Sequence, residues 1–81
     1  MRIRVLLFAR LREIAGREAL DLELPSGATV GEVWRHLQER TEALKGYPHP
    51  PLMAVNRDYA PSGTVLTGGE EVAFFPPVSG G

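Results

Sequence analysis

Cysteine is absent from the 81 residues, which removes a disulfide framework, a thiol nucleophile and any cysteine-based zinc site together. Histidine is scarce too. His36 falls on the polar side of a helical stretch and His49 in a proline-rich loop, and neither stands in a metal-ligand spacing, so no metal is expected. There is no excess of charge of one sign: the formal net charge is −1, and the arginines, which far outnumber lysine, are scattered rather than gathered into a basic stripe. That pattern argues against a nucleic-acid partner. No long hydrophobic run exists either, since the apolar stretch from Ile3 to Phe8 is short and interrupted by Arg4. Neither a membrane span nor a signal peptide is expected from it, and the expected location is cytoplasmic. A chain this short builds one core and has little material for a deep catalytic cleft.

What is present is a series of alternating patterns. In residues 2–8, Ile3, Val5 and Leu7 share one face, which must be the core, while the other face starts at Arg2 and Arg4 and finishes with Leu6 and Phe8. Residues 9–15 fit one or two helical turns closed by Gly16 at C′. From Glu18 to Leu24, Leu20, Leu22 and Leu24 alternate with Asp21 and Glu23, which reads as a second strand. Pro25-Ser26-Gly27 turns the chain. Thr29-Val30-Gly31-Glu32 then has the capping-box pattern, in which threonine and glutamate satisfy each other's backbone donors. A helix should start at Val30, with Val30, Val33, Trp34 and Leu37 on one face and Trp34 and Leu37 sealing the sheet, and should end between Thr41 and Lys45. Residues 46–51 are too rich in proline to be other than a loop. Leu52 to Val55 reads as a short strand, residues 56–58 as a turn, and Thr67-Gly68-Gly69-Glu70 as a tight turn feeding a last strand. The whole is an α+β roll in which one helix covers one face of a sheet.

In the last strand Val72 and Phe74 share a face, and Glu71, Ala73 and Phe75 share the other. Glu70 and Glu71 read as solvated residues at the start of this strand, not as an acid–base pair. If the first and last strands are neighbours, Leu6, Phe8, Ala73 and Phe75 make one exposed apolar patch. Alternatively, residues 47–51 cover it; the residues alone leave both readings open. The strand stops at Pro76-Pro77, which lack the N–H groups a neighbour would bond, while Phe75 is held extended by the proline after it. Six residues follow Phe75, none with a charged side chain, with a reach of roughly 20 Å at about 3.3 Å each. The division expected is a domain over residues 1–75 and an extended tail over residues 76–81. Gly80 and Gly81 have no Cβ and can pass through a narrow channel. At an average usage of about 7%, two such glycines end roughly one chain in two hundred by chance. Attached to Phe-Phe-Pro-Pro-Val-Ser at a strand's end, they become a far more specific signal.

The run Glu71-Val72-Ala73-Phe74-Phe75-Pro76-Pro77-Val78-Ser79-Gly80-Gly81 resembles the small subunits of molybdopterin synthase, ubiquitin-like sulfur carriers of the β-grasp fold. Residues 5–9, Leu11-Arg12-Glu13-Ile14 and Ala54-Val55-Asn56 support the resemblance; Ser79 departs from a common threonine. It implies a mixed sheet with one main helix on one face, the first and last strands parallel and adjacent, and a protruding tail. It further implies that an ATP-dependent activating enzyme adenylates Gly81, that sulfur converts it to a thiocarboxylate, and that the tail donates this sulfur to a cyclic pterin precursor inside a large subunit. The resemblance implies a heterotetramer of two small and two large subunits. No cofactor is expected to bind this chain; its cargo is the covalent sulfur. On this reading Gly81 carries the acyl group, Gly80 gives clearance, and Phe8, Phe75, Pro76, Pro77, Val78 and Ser79 dock the partner. Sulfur carriers for thiamine or tRNA thiolation, or for protein modification, share the Gly-Gly logic. A β-grasp interaction module without acyl chemistry would have no use for a free terminus.

Overall fold

The structure, a computed structural model, describes residues 1–77. Five strands form one sheet: β1 (Arg2–Leu7), β2 (Ala19–Glu23), β3 (Leu52–Val55), β4 (Asp58–Tyr59) and β5 (Glu71–Phe75). Two helices, α1 (Ala9–Ala15) and α2 (Val30–Arg40), and a 3₁₀ turn at Glu42–Leu44 complete the elements. The order across the sheet is β2-β1-β5-β3-β4. β1 and β5 are parallel, and every other pairing is antiparallel.

Register decides which side chains meet. Val5 stands opposite both Leu20 and Val72, and Leu7 opposite Phe74. Since cross-strand partners share a face, Ile3, Val5, Leu7, Leu22, Val72 and Phe74 form one continuous inner surface, and all six are buried. α2 lies against it. Thr29 Oγ1 accepts from the Glu32 N–H, and the Glu32 carboxylate accepts from the Thr29 N–H, so the capping box is complete and α2 starts where the pattern requires. Val30, Val33, Trp34 and Leu37 turn inward as spaced, with the Trp34 ring 5.2 Å from that of Phe74.

α2 ends at Arg40, one residue before the expected interval, because Thr41 takes an extended backbone. The chain then re-enters the core through the 3₁₀ turn, which buries Leu44 and brings its carbonyl within 3.1 Å of Gln38 Nε2. Leu11 on α1 and Leu66 are also in the core. Leu66 arrives in a run tied to the start of α2: its N–H donates to Ala28 O, while Val30 and Gly31 donate to Thr64 O and Ser62 O. A Cβ on Gly31 would stand 3.1 Å from Ser62 Cβ and 3.2 Å from Ser62 O, so any larger residue here would press on the segment that carries Ser62.

Gly16 closes α1 in the left-handed conformation (φ 76), and its N–H bonds Arg12 O as expected. α1 opens less regularly. Ala9 has φ 51, a region an alanine adopts at some cost. That twist lets the chain leave the outer face at Phe8 and place Leu11 in the core within three residues.

A candidate docking face at the root of the tail

The parallel ladder does not stop at Leu7. Phe8 N–H donates to Phe74 O at 3.2 Å, extending the pairing by one residue. This sets Phe8 beside Phe75 on the face away from α2, with ring centroids 4.6 Å apart and planes 10° from parallel. Leu6 stands opposite Ala73, Ala73 opposite Ala54, and Ala54 opposite Tyr59, so one apolar row crosses four strands. Leu52 pairs with Phe75 at the end of the sheet. Leu6, Phe8, Ala54, Tyr59, Ala73 and Phe75 enclose a shallow concavity of about 420 Å³. Its floor is the two alanines and its walls are the aromatic rings, with Arg57 and Glu71 also lining it.

The patch is open. Phe8 is 38% exposed and Tyr59 77%, while Leu6 and Phe75 are half-buried. Residues 47–51 do not close over it through Tyr47, whose ring packs edge-on against Trp34 at 6.2 Å, on the side of α2. Of the four residues expected in an exposed patch, Ala73 is the correction: it is only 8% exposed. A methyl group at the centre of a sheet, with Ala54 beside it and the larger Leu6, Phe8, Tyr59 and Phe75 around the two, forms a floor and not a summit.

Both flanks of β5 are fixed by polar contacts. At its start the Glu70 carboxylate accepts from the Thr67 N–H at 2.8 Å, from the Thr67 hydroxyl at 3.1 Å and from the Gly68 N–H at 2.6 Å. The Thr67 amide in particular holds this carboxyl below its ordinary range, since bonds to the anion favour the ionised form. Gly68 and Gly69 make the turn possible with positive φ, and Gly69 N–H reaches Arg2 O. On the other side Asn56 Oδ1 accepts from Glu71 N–H, and Asn56 N–H donates to Glu71 O. Glu70 is therefore a turn-forming group. Beyond the patch, on β1 and β2, Arg2 pairs with Glu23 at 3.1 Å and Arg4 with Asp21 at 3.8 Å.

Of the residues expected to act in docking, Phe8 and Phe75 meet, Pro76 is half-buried directly after β5, and Pro77 is exposed. Val78, Ser79, Gly80 and Gly81 lie outside the described residues. Leu52, Ala54, Arg57 and Tyr59 belong to the face as well, though the sequence reading assigned them no role. The alternation of Leu52 and Ala54 on one side of β3 was the available signal. Among the described residues no three histidine, aspartate or glutamate side chains gather to hold a metal ion, and no helix is long and apolar enough to cross a membrane.

Residues 5–81 match the ThiS family. The chain is 39% identical over 83 residues to the molybdopterin synthase sulfur carrier subunit of Escherichia coli (strain K12), covering 98% of this chain and 99% of that one. It is 37% identical over 82 residues to the subunit of the same name from Mycobacterium tuberculosis, covering 100% and 99%. Among solved structures, the crystal structure of SAMP1 from Haloferax volcanii superposes with a TM-score of 0.87 at 30% identity, covering 100% of both chains. With the match running from the first strand through the tail, and with the five-stranded mixed sheet gripping α2 as its solved neighbour does, this chain belongs to the ThiS family and has the ubiquitin-like β-grasp fold.

Proposed function

We propose that this chain is the sulfur-carrier subunit of a molybdopterin synthase, with residues 1–75 as the docking domain and residues 76–81 as the tail that delivers sulfur. The observation that carries this reading is the open Phe8–Phe75 stack at the point where β5 gives way to two prolines. Exposed aromatic surface of this kind fits a protein partner, and it lies where a partner that receives the tail must make contact. The relatives' shared name as molybdopterin synthase sulfur carrier subunits supports the same partner, a large synthase subunit; the assembly of two small and two large subunits in the cytoplasm is part of the proposal and follows the resemblance of the tail.

The chemistry follows from the state of the terminus. An α-carboxyl, with a reference pKa of about 3.5, is ionised at neutral pH and is a poor electrophile. An ATP-dependent activating enzyme converts the Gly81 carboxylate to an acyl-adenylate, which has a good leaving group, and sulfur displaces AMP to give the thiocarboxylate. Sulfur is the stronger nucleophile in the following transfer to a cyclic pterin precursor. Donors of the partner would orient it, as C-terminal carboxylates are captured in backbone nests. Gly80 gives the clearance, and Pro76, Pro77, Val78 and Ser79 set the path.

The test is an intact mass of the protein from its own host, fragmented to locate any shift. Replacement of one oxygen by sulfur at Gly81 is the expected result. A mass that stays unmodified after incubation with ATP, a sulfur donor and the host's activating enzyme overturns the proposal. Deleting Gly81, or replacing Gly80 with a bulky residue, should abolish sulfur transfer and leave the melting temperature unchanged; a large fall in that temperature would instead make the glycines structural.

A further inference from the structure

The loop between β3 and β4 has two residues, Asn56 and Arg57, and both take positive φ, 49 and 74. A two-residue hairpin of this kind favours Asn-Gly, because only a residue without a Cβ enters the second position free of steric cost. Arginine stands there instead. For Asn56 the reason is visible: its N–H and its Oδ1 both bond the backbone of Glu71, so the left-handed conformation ties the hairpin to β5. No side-chain bond of that kind accounts for Arg57 among the described residues. What distinguishes Arg57 is its place, on the lining of the concavity that holds Phe8, Tyr59 and Phe75.

Its charge is also unmet. On the other side of the patch, near Leu6 and Phe8, Arg4 and Arg12 are each taken by a carboxylate of their own chain, Asp21 at 3.8 Å and Glu18 at 3.9 Å. Arg57 is exposed and makes no ion pair among the described residues, not even with Glu71, which lines the same concavity. A partner that covers the apolar rings draws this guanidinium out of water with them. A charge so withdrawn is costly unless an opposite charge meets it.

We propose that Arg57 is a specificity-determining residue of the docking face, pairing with a carboxylate that the large subunit presents above the concavity. This deepens the function proposed above and rests on it. Contact with Phe8, Tyr59 and Phe75 supplies adhesion that many apolar surfaces could share, whereas a surface without the carboxylate leaves the guanidinium covered and unpaired. The planar fork of arginine donors suits a carboxylate. The turn accepts a strained residue to place that fork at the concavity, and the strain makes this role separable from folding. Glycine at position 57 suits the backbone and removes the cation.

The experiment titrates the full chain into the large subunit calorimetrically at low and high salt, beside thermal melts, for the wild type, Arg57→Gly, Arg57→Glu and Arg35→Gln. Arg35 is an exposed cation on α2, away from the docking face, and controls for net charge. Arg57→Gly should melt a few degrees higher yet bind about tenfold more weakly at low salt, with the gap narrowing at high salt. Arg57→Glu should bind more weakly still, and Arg35→Gln should bind as the wild type does. Undiminished binding by Arg57→Gly, an equal loss in Arg35→Gln, no further loss in Arg57→Glu, or a lower melting temperature for Arg57→Gly each overturn the inference. Phe75→Ala, titrated alongside, tells the two readings apart: weakened binding there beside any of these results removes this inference alone. A wild type that does not bind the large subunit overturns the docking reading together with it.

Discussion

Phe74 and Phe75 are consecutive residues of β5, yet they have opposite fates. Phe74 points toward α2, is fully buried and packs against Trp34. Phe75 points the other way, is half-buried and has Phe8 and Tyr59 as its aromatic neighbours. The inner face completes its apolar contacts within the chain. The outer face gathers apolar side chains and leaves them only partly covered, so their full desolvation is available to a partner. Two aromatic residues of the same type therefore serve different equilibria, folding in one case and association in the other, and strand parity alone separates them.

Removing the rings one at a time tests that division most sharply. Phe74→Ala should cost about 3–5 kcal/mol of stability through lost burial and a cavity, measured by denaturant unfolding. Phe75→Ala should weaken binding to the large subunit by about 2 kcal/mol or more, as a central aromatic anchor does. Its effect on unfolding should be clearly smaller; calorimetric titration beside denaturant unfolding would expose the reverse, which would assign Phe75 to the core. A smaller effect is expected at Ala9, where the chain passes from one face to the other with positive φ. Ala9→Gly should raise stability by up to about 1 kcal/mol by relieving the left-handed strain, and a loss of stability would show that the Ala9 methyl is itself packed. The smallest effect is at Glu70. Its folded carboxyl is held below the ordinary value of 4.5, so its contribution is present above that value and fades as pH falls through the lower folded one. Glu70→Gln should therefore flatten stability against pH on the acid side, as thermal melts across that range would report.

Much of this arrangement could be read in the chain because it depends on local period. The capping box at Thr29 and Glu32 and the spacing of Val30, Val33, Trp34 and Leu37 specify α2 without reference to anything distant. Alternation likewise put Leu6 and Phe8 opposite the core, and the resemblance of the tail implied the parallel pairing of β1 with β5, which is present. Other parts depended on long-range register. Leu44 and Leu66 lie in segments too short or irregular to show a period, and they become core residues only when the chain folds back on α2. Tyr59 joins the docking face because the turn at Asn56 and Arg57, both with positive φ, returns β4 against Ala54. Whether residues 47–51 covered the patch likewise depended on long-range packing, which sets Tyr47 against Trp34 on the α2 side.

The position of β5 inside the sheet also has a mechanical meaning. It is bonded to β1 on one side and to β3 on the other, and its hydrogen bonds run across the strand direction. Traction applied along the strand from its C-terminal end loads both ladders in shear, so the bonds resist together instead of opening one after another. A partner that draws the tail into a channel therefore pulls on a strand anchored along both of its edges. Had the tail continued from the two-residue edge strand β4, the same pull would have peeled that strand away.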